Sequence, residues 1–263
     1  MTRVATLAER VRMAELSTYD FDWQPPGWAC IDRPDVFAWT WPAWNASARG
    51  VARATFGDDD VDERVPEIAA FFAARKRTAR WHVGPSTTSR RLVALLRERA
   101  GAVHEPRNMT AELDGLRFRT NDAVRVEEIG TPEVARAWLA RCFTDLTPAM
   151  LDVEVERWTQ HHAAPTRRGG DLVAYLGGEL VGNASWRDAS DGRCVQFVGG
   201  WTLVSARGRG VYSTLCAYRV AGALERGLRY ACIVADPTTS GPIVAKAGFI
   251  DHGPQYVFTD LRL

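Results

Sequence analysis

Two glycines, one residue apart, stand at a junction between a β-prone run and a helical pattern. The run from Cys194 to Val204 is rich in valine, phenylalanine, tryptophan and threonine, whereas apolar residues recur at helical spacing from Val211 to Arg226. The linking segment is Arg207-Gly208-Arg209-Gly210. The first turn of a helix has free N–H groups and the positive end of the helix dipole, and glycine lets an anion approach the backbone. The junction therefore predicts a binding site for a phosphate or diphosphate, with an exposed basic turn as the alternative.

The segments around this junction predict a mixed sheet. Gly177-Gly178 is a two-residue hairpin turn, so three antiparallel strands precede the junction. A short strand and a second capped helix that ends at Gly248 follow the first helix. The order is typical of an α/β fold whose sheet opens at one point. The predicted strands are 124–129, 172–176, 179–187, 194–204, 230–235 and the extended run 249–263, and the predicted helices begin near residues 131, 148, 211 and 238.

The N-terminal part of the chain repeats a piece of this pattern. Trp81 to Val83 is a short strand, and Thr87-Thr88-Ser89 caps a helix that ends at Gly101. Thr238-Thr239-Ser240 stands in the same place in the later strand–helix unit. We favour duplication because helix, strand, capped helix and final strand recur in that order, while chance similarity is the alternative. A chain of 263 residues accommodates two such domains, predicted as residues 1–118 and 119–263.

Composition narrows the class of function. The formal net charge is +1, so there is no excess charge to attract nucleic acid or an anionic membrane. The five cysteines form no C-x-x-C pair, and adjacent His161 and His162 cannot share a helix face, so we expect no metal site. The charged N terminus lacks the apolar core of a signal peptide, and no apolar run is long enough to span a membrane. A cytoplasmic protein with free thiols is expected.

The glycine junction and the end of the second helix together resemble the GCN5-related N-acetyltransferases, the GNAT superfamily. The family signature is Arg/Gln-x-x-Gly-x-Gly/Ala, which Arg207, Gly210 and Tyr212 match except that tyrosine replaces the small last residue. Lys246-Ala247-Gly248-Phe249 matches the family's closing Gly-Phe. The resemblance covers residues 124–263 and, with the repeat, implies two GNAT-like domains. Each would have a central mixed, mostly antiparallel sheet flanked by helices.

The resemblance also implies where acetyl-CoA, the co-substrate, would bind. In the family it lies in a V-shaped gap between the fourth and fifth strands, which correspond here to Cys194–Val204 and Tyr230–Ala235. The fourth strand pairs with the pantetheine arm, and amides of the glycine loop hold the diphosphate. Ser240 matches a position often near the cofactor arm, but a helix cap is an equal alternative. The cofactor-binding residues implied are Thr202, Leu203, Val204, Arg207, Gly208, Arg209, Gly210, Val211, Tyr212, Ser213 and Ser240.

The catalytic groups depart from the family pattern. Members transfer the acetyl group directly to an amine, with a backbone N–H at the carbonyl oxygen and an acid for the leaving thiolate. The usual acid is a tyrosine five residues before the Phe of Gly-Phe, where this sequence has Val244. Tyr256, Tyr212 and Ser240 are nearby replacements, although a thiol with a pKa of about 8.5 needs little help to leave. Asp236, which ends the fifth strand, is the candidate base, with a turn-capping role as the alternative.

The N-terminal part lacks a matching glycine loop. Gly57-Asp58-Asp59-Asp60-Val61-Asp62-Glu63 places five carboxylates at a helix start, which suits capping but repels a diphosphate. Ser47-Ala48-Arg49-Gly50-Val51 resembles the later loop without its second glycine. We predict a degenerate domain without cofactor. Tryptophans crowd its start and form either its core or the wall of an acceptor pocket between the domains. They are Trp23, Trp28, Trp39, Trp41 and Trp44.

The function that the resemblance implies is acetyl-CoA-dependent N-acetylation of a primary amine on a small molecule, by direct transfer in a ternary complex. Asp152, Glu154 and Glu156 on one predicted helix would attract a cationic amine such as an aminoglycoside, with a solvated helix face as the alternative. Protein or peptide N-acetylation is a second reading. A non-catalytic acyl-CoA sensor is the rival class, which Val244 favours. We expect a monomer or homodimer with no metal, nucleic-acid or membrane partner.

Overall fold

The computed structural model describes residues 4–43 and 48–261, which form two mixed sheets with helices packed on them. The first sheet has six strands and the second has seven. The predicted fold class, two mixed and mostly antiparallel sheets flanked by helices, is confirmed. Trp44 and Ser47, which the sequence singled out, lie outside the described residues.

Helices and strands follow one another in the order expected for a repeated α/β unit. The helices are α1 (Leu7–Leu16), α2 (Val61–Ala73), α3 (Arg90–Arg99), α4 (Pro132–Cys142), α5 (Pro148–Ala163), α6 (Val211–Glu225) and α7 (Ser240–Ala247). The strands are β1 (Ala29–Arg33), β2 (Val36–Thr40), β3 (Arg49–Ala52), β4 (Trp81–Val83), β5 (Ala102–His104), β6 (Arg107–Glu112), β7 (Val124–Glu128), β8 (Gly169–Leu176), β9 (Glu179–Asp188), β10 (Cys194–Thr202), β11 (Tyr230–Ala235), β12 (Ile250–Pro254) and β13 (Tyr256–Thr259).

The two sheets exchange one strand each. The order is β1-β2-β3-β4-β13-β5 in the first sheet and β12-β6-β11-β10-β9-β8-β7 in the second. β6 pairs with β11 and β12 of the second sheet, and β13 lies between β4 and β5 of the first. The predicted boundary between residues 118 and 119 does not coincide with the sheets, because each sheet takes a strand from the other side of it.

The exchange is symmetrical in topology. β3 and β4 form a parallel pair in the first sheet, and β10 and β11 form one in the second. The exchanged strand comes next in each sheet, and the strand that follows the capped helix, β5 or β12, lies at the edge. This matching order supports duplication over chance. The run 249–263 was predicted as one extended segment, but the strand exchange divides it. β12 belongs to the second sheet and β13 to the first.

Three of the early tryptophans form core packing in the first sheet, whereas Trp23 stacks on His161 of α5 with ring centroids 5.5 Å apart. Trp39 and Trp41 are buried, and Trp28 stacks on Trp41 with ring centroids 5.4 Å apart. The Trp39 ring occupies the space that a Cβ on Gly50 would need. The described part of the segment 47–51 is therefore mostly strand β3 packed against an aromatic ring, and it does not form a second anion-binding loop.

The acidic run before α2 makes capping contacts, but not to α2 itself, whose N-cap residue Asp60 forms no side-chain cap hydrogen bond with that helix. The Asp60 carboxylate accepts a hydrogen bond from the Gly57 amide at 3.1 Å. Asp58 accepts from Ser89 Oγ at 2.6 Å and from the Arg91 amide at 3.0 Å, so it joins the starts of α2 and α3. These carboxylates stand at a helix N terminus, where a diphosphate would meet repulsion. That this part of the chain binds no cofactor stays a prediction.

A buried ionic network joins the segment after α1 to the second sheet. The Asp20 carboxylate accepts from Arg168 Nη2 at 2.9 Å and from Gln196 Nε2 at 2.9 Å. Asp22 accepts from the Arg168 amide at 2.8 Å and lies 3.2 Å from His161 Nε2 of α5. Both carboxylates are buried. Because an unpaired buried charge is costly, these partners fix the position of the segment.

Replacing Asp22 with asparagine is expected to lower the free energy of unfolding at neutral pH by about 2 kcal/mol. Burial raises the pKa of Asp22, but hydrogen bonds from His161 and the Arg168 amide outweigh it and hold the pKa at about 2. A carboxyl with a lowered pKa stabilises the fold above its unfolded pKa of 3.8, and this contribution is lost as the pH falls from there towards 2. Urea unfolding at several pH values should therefore show the difference shrinking below pH 4. A difference that stays constant with pH would contradict this account.

Candidate functional site

Strands β10 and β11 part near their carboxyl ends. They pair in parallel as far as Phe197 opposite Ile233. A β-bulge follows at once in β10, at Gly199, whose φ is +59°. Such a bulge bends the strand and interrupts its ladder. Beyond Gly199, no strand within the described ranges pairs with the edge of β10 that faces β11, and a gap opens in the sheet.

The gap leads into a cleft of about 1230 Å³. This volume exceeds the roughly 300–1,000 Å³ of most small-molecule sites and suits a long ligand. Its walls are the ends of β10 and β11, the start of α7, the loop before α6 and the segment before β7. Most of the residues predicted to bind or act on a cofactor line it. They are Thr202, Arg207, Gly208, Arg209, Gly210, Val211, Tyr212, Ser213, Asp236 and Ser240.

The N terminus of α6 opens onto the cleft without a side-chain cap. Gly210 is the N-cap residue with a φ of +78°, and Gly208 has a φ of +73°. Both are left-handed conformations that favour glycine. The Thr214 amide donates to the Gly210 carbonyl at 2.9 Å, so the amides of residues 211–213 precede the first helical hydrogen bond. These three N–H groups point out of the helix end with no acceptor inside the helix.

Positive charge is concentrated at this end of the cleft. Arg119, Arg207 and Arg209 border the cleft, and their side chains are exposed. None of the three forms an ion pair within residues 4–43 and 48–261. The helix dipole of α6 adds partial positive charge at the same place. An anion bound here would meet cations and free amides together.

Asn121 holds the glycine loop in place, and sequence reasoning missed it. Its Nδ2 donates to the Arg209 carbonyl at 2.8 Å, and its amide donates to Thr214 Oγ1 at 3.0 Å. A Cβ on Gly210 would stand 3.1 Å from Asn121 Cβ. The segment 119–122 thus lies against the loop and lines the cleft. No local pattern marks Asn121, because it acts on a loop 88 residues away.

Tyr212, which replaces the small residue of the family signature, fits because the residue of β10 that faces its ring is a glycine, Gly200. A Cβ on Gly200 would stand 3.0 Å from Tyr212 Cε2. Burial raises the pKa of the Tyr212 phenol. Its neighbour Arg219 is buried, donates from Nη1 to the Ser185 carbonyl at 3.0 Å and lies over the Phe197 ring. Tyr212 is thus part of the packing beneath the bulge, which makes it a poor candidate for the acid.

Two of the predicted cofactor residues lie outside the cleft. The Leu203 amide donates to the Val181 carbonyl at 2.8 Å, so Leu203 continues the pairing with β9. Val204 begins a 3₁₀ turn, and 71% of its surface is exposed. The reason is that β10 ends at Thr202, two residues earlier than the sequence suggested. The residues of this strand that line the cleft beside the gap are Gly199, Gly200, Trp201 and Thr202.

Asp236 and Ser240 meet at the cleft, but their contacts favour turn and cap roles. Asp236 Oδ1 accepts from the Thr238 and Thr239 amides, each at 2.8 Å. Hydrogen bonds that Asp236 accepts lower its pKa, and the bond from the Thr238 hydroxyl has the largest effect. The lowered pKa makes the carboxylate a weaker base. Ser240 Oγ accepts from the Asp236 amide at 3.0 Å and keeps its own hydrogen free to donate.

The structure corrects the prediction for Tyr256, which does not reach the cleft. It lies in β13 opposite Val83 of the first sheet, and the Arg97 guanidinium stands 5.0 Å from its ring centroid. The strand exchange carries it there, and the sequence gives no sign of this exchange. Val244, where the family has its acid, is fully buried in the core beneath α7.

Two of the three acidic residues of α5 are engaged with arginines, and the third, Glu156, accepts from Gln160 Nε2 at 2.8 Å. Glu154 is buried and accepts from Arg157 Nη1 at 2.6 Å. Asp152 pairs with Arg136 of α4. Paired carboxylates attract a cationic ligand less than free ones do, so this helix offers less negative charge than its sequence suggests.

Other classes of site find no support in the described part of the chain. None of the helices within residues 4–43 and 48–261 is long and apolar enough to cross a membrane. No group of three or more histidine, cysteine, aspartate or glutamate residues in these ranges is arranged to hold a metal ion. All five cysteines are free thiols.

Comparison with known proteins identifies the fold through structure alone. No protein-family model matches the sequence, and no curated protein matches it. A GCN5-related N-acetyltransferase from Kribbella flavida has a TM-score of 0.72 at 16% identity, covering 97% of each chain. A functionally unknown conserved protein from Staphylococcus epidermidis has a TM-score of 0.65 at 13% identity, covering 91% of this chain and 96% of its own. A tandem GNAT protein from the clavulanic acid biosynthesis pathway has a TM-score of 0.59 at 12% identity, covering 98% and 89%. The chain has the tandem GNAT fold.

Proposed function

We propose that this protein is an acetyl-CoA-dependent N-acetyltransferase that transfers an acetyl group directly to a primary amine of a small molecule. The observation that carries the proposal is the uncapped N terminus of α6. It presents three free amides, two left-handed glycines and arginines that have no ion-pair partner among the described residues to a cleft that ends at a gap between β10 and β11. The structures of similar fold that are described as N-acetyltransferases support the same reading.

The residues around the cleft fit the parts of CoA in order. The amides of 211–213, with Arg207 and Arg209, would bind the diphosphate. The parted edge of β10, from Gly199 to Thr202, would pair with the pantetheine arm as an added strand does. The thioester would then lie in the gap beside the bulge. A backbone N–H there would stabilise the negative charge that develops on the carbonyl oxygen.

The reaction joins the amine nitrogen to the acetyl carbonyl carbon and releases the CoA thiolate. Ser240, with a free hydroxyl hydrogen at the cleft, is the remaining candidate to protonate that thiolate. Tyr256 lies in the first sheet, Tyr212 is packed beneath the bulge, and position 244 is a buried valine, which has no proton to give. A thiol pKa of about 8.5 makes such help dispensable. Asp236 is a turn residue with a lowered pKa, so we assign the base elsewhere.

Calorimetry with CoA and a thiol-release assay test the proposal together. We expect acetyl-CoA to bind with a Kd of about 1–100 μM and free CoA to appear when a suitable primary amine is added. The amine panel should include simple alkyl amines, amino sugars, aminoglycosides and a peptide with a free N terminus. A folded protein that fails to bind CoA at millimolar concentration would refute the proposal.

A non-catalytic acyl-CoA-binding module is the second candidate. Val244 favours it, because the position of the family's usual acid is buried in the core. The two candidates differ in one observable. The sensor binds acetyl-CoA and releases no thiol with any amine of the panel, whereas the enzyme consumes both substrates.

A further inference from the structure

A second group of polar side chains lies next to the gap, on the face of the second sheet that is opposite to α6. Leu172 and Ala184 pack with residues of α6, whereas Val173 packs with residues of α4 and α5. Side chains alternate between the faces of a strand. Asp171 and Ser185, paired in register on β8 and β9, therefore face α4 and α5, opposite to the face that α6 covers.

Asp171 and Ser185 form a hydrogen-bonded pair. Ser185 Oγ donates to Asp171 Oδ1 at 2.5 Å, and Trp158 Nε1 of α5 donates to Oδ2 at 3.0 Å. Across the described ranges, no basic side chain forms an ion pair with this carboxylate. Because the hydrogen of Ser185 is directed to Asp171, the lone pairs of Oγ are left to accept a hydrogen bond from another group.

This pair borders the place where the strands part. Ser185 lies opposite Val198, the residue before the bulge. A Cβ on Gly199 would stand 3.8 Å from Ser185 Oγ. Since Gly199 also lines the cleft, the Ser185 hydroxyl lies beside the gap, on the face of the sheet opposite to α6.

Asn108 is the polar counterpart across the gap. It pairs in register with Val234, which lines the cleft from β11. Its neighbour Met109 packs in the core with α6 and α7, so Asn108 faces the same side as Ser185. Its carboxamide is fully buried, and neither Nδ2 nor Oδ1 has a hydrogen-bond partner among the described residues. A buried amide without partners costs free energy, which a polar ligand on this face would recover.

We propose that the acceptor is a small primary ammonium that reaches the gap from the face covered by α4 and α5, and that Ser185, positioned by Asp171, takes the proton it loses. The inference rests on the proposed acetyl transfer. The Asp171 carboxylate supplies the negative charge that attracts the ammonium. Asn108 supplies a donor and an acceptor for a polar group elsewhere on the same molecule.

Protons and electrons balance along this route. An ammonium loses two protons on becoming an amide. The first passes to Ser185 Oγ while the Ser185 hydrogen passes to Asp171, and it continues to solvent. The neutral nitrogen then forms a bond to the acetyl carbonyl carbon, the C–S bond breaks with its electron pair on sulfur, and the second proton of nitrogen ends on the CoA thiol.

The test measures kcat and KM for an active amine from about pH 6 to about pH 10, together with the Kd for acetyl-CoA. We expect Ser185→Ala to lower kcat about 100-fold near neutrality. The deficit should shrink as the pH approaches the pKa of the free amine, which then arrives already neutral. Ser185→Thr, which keeps the hydroxyl, should restore most of the rate, and Asp171→Asn should lower kcat and raise the KM for the amine. The Kd for acetyl-CoA should not change in any variant.

Ser190→Ala is the matched control, because Ser190 is an exposed serine in the turn after β9. It should behave as the unaltered protein does. A Ser185→Ala enzyme with normal kcat, or with a deficit that does not depend on pH, would overturn the inference while the acetyl transfer stands. An unaltered protein that binds no CoA or acetylates no amine would instead refute the proposed function, and this inference with it. If Ser185→Ala fails to fold, Asp171→Asn and Ser185→Thr decide the question through the same pH profile.

Discussion

Replacing Gly210 with glutamate will raise the Kd for CoA by about 100-fold or more. The residue has a φ of +78°, and a Cβ there would stand 3.1 Å from Asn121 Cβ, so the loop must shift to accept any side chain. The new carboxylate would also lie at the free amides of residues 211–213, where it would compete with a diphosphate and repel it. Isothermal titration with CoA measures the loss directly.

Gly177→Glu is the matched control for this substitution. Gly177 also has a positive φ, of +63°, and nothing lies within 4 Å of a Cβ built on it. It occupies the hairpin turn between β8 and β9, away from the cleft. The control therefore carries similar backbone strain and the same charge, and its Kd for CoA should not change. Normal CoA binding by a folded Gly210→Glu protein would show that the site has been placed wrongly.

Phe258→Ala is expected to lower the free energy of unfolding by about 3–5 kcal/mol. Phe258 is fully buried among residues of α2, α3 and the first sheet. Its strand, β13, supplies the ladder between β4 and β5. Urea unfolding followed by tryptophan fluorescence will detect the change, because Trp81 is buried in the same core.

Phe143→Ala is the control, because 38% of the surface of Phe143 is exposed after α4. It removes the same ring and should cost far less. A Phe258→Ala protein with unchanged stability would mean that the exchanged strand contributes little to the first sheet. The same exchange predicts that a fragment of residues 1–118 will not fold alone, since it lacks β13.

Local patterns carried most of the second sheet and its glycine loop. Gly177-Gly178 and the two glycines before α6 each signal a local conformation, and each is found where it was predicted. Thr131 caps α4 through its side chain for the same reason. A turn, a cap or a helix start depends on residues near in sequence, which a single chain displays.

Features that depend on distant residues were missed. The run 249–263 reads as extended, but nothing in it says that β13 pairs with β4 while β12 pairs with β6. Asn121 and the Asp171–Ser185 pair were overlooked because each acts across strands. Tyr256 was placed wrongly because the sequence does not show that its strand, β13, pairs with β4. Alternation along β8 and β9 was the one available signal, since it places Asp171 and Ser185 on a single face once the hairpin register is known.

The strand exchange also constrains how the protein is made. β4 pairs with β3 at one position, Val51 opposite Trp81, and otherwise depends on β13 for its ladder. A nascent chain therefore exposes open edges of β4 and β5 until residue 259 has left the ribosome. β6 meanwhile waits for β11 before it can pair. Neither sheet is complete until its exchanged strand has found its partners, so the segment that holds β4 and β5 relies on the much later strand β13 to finish folding.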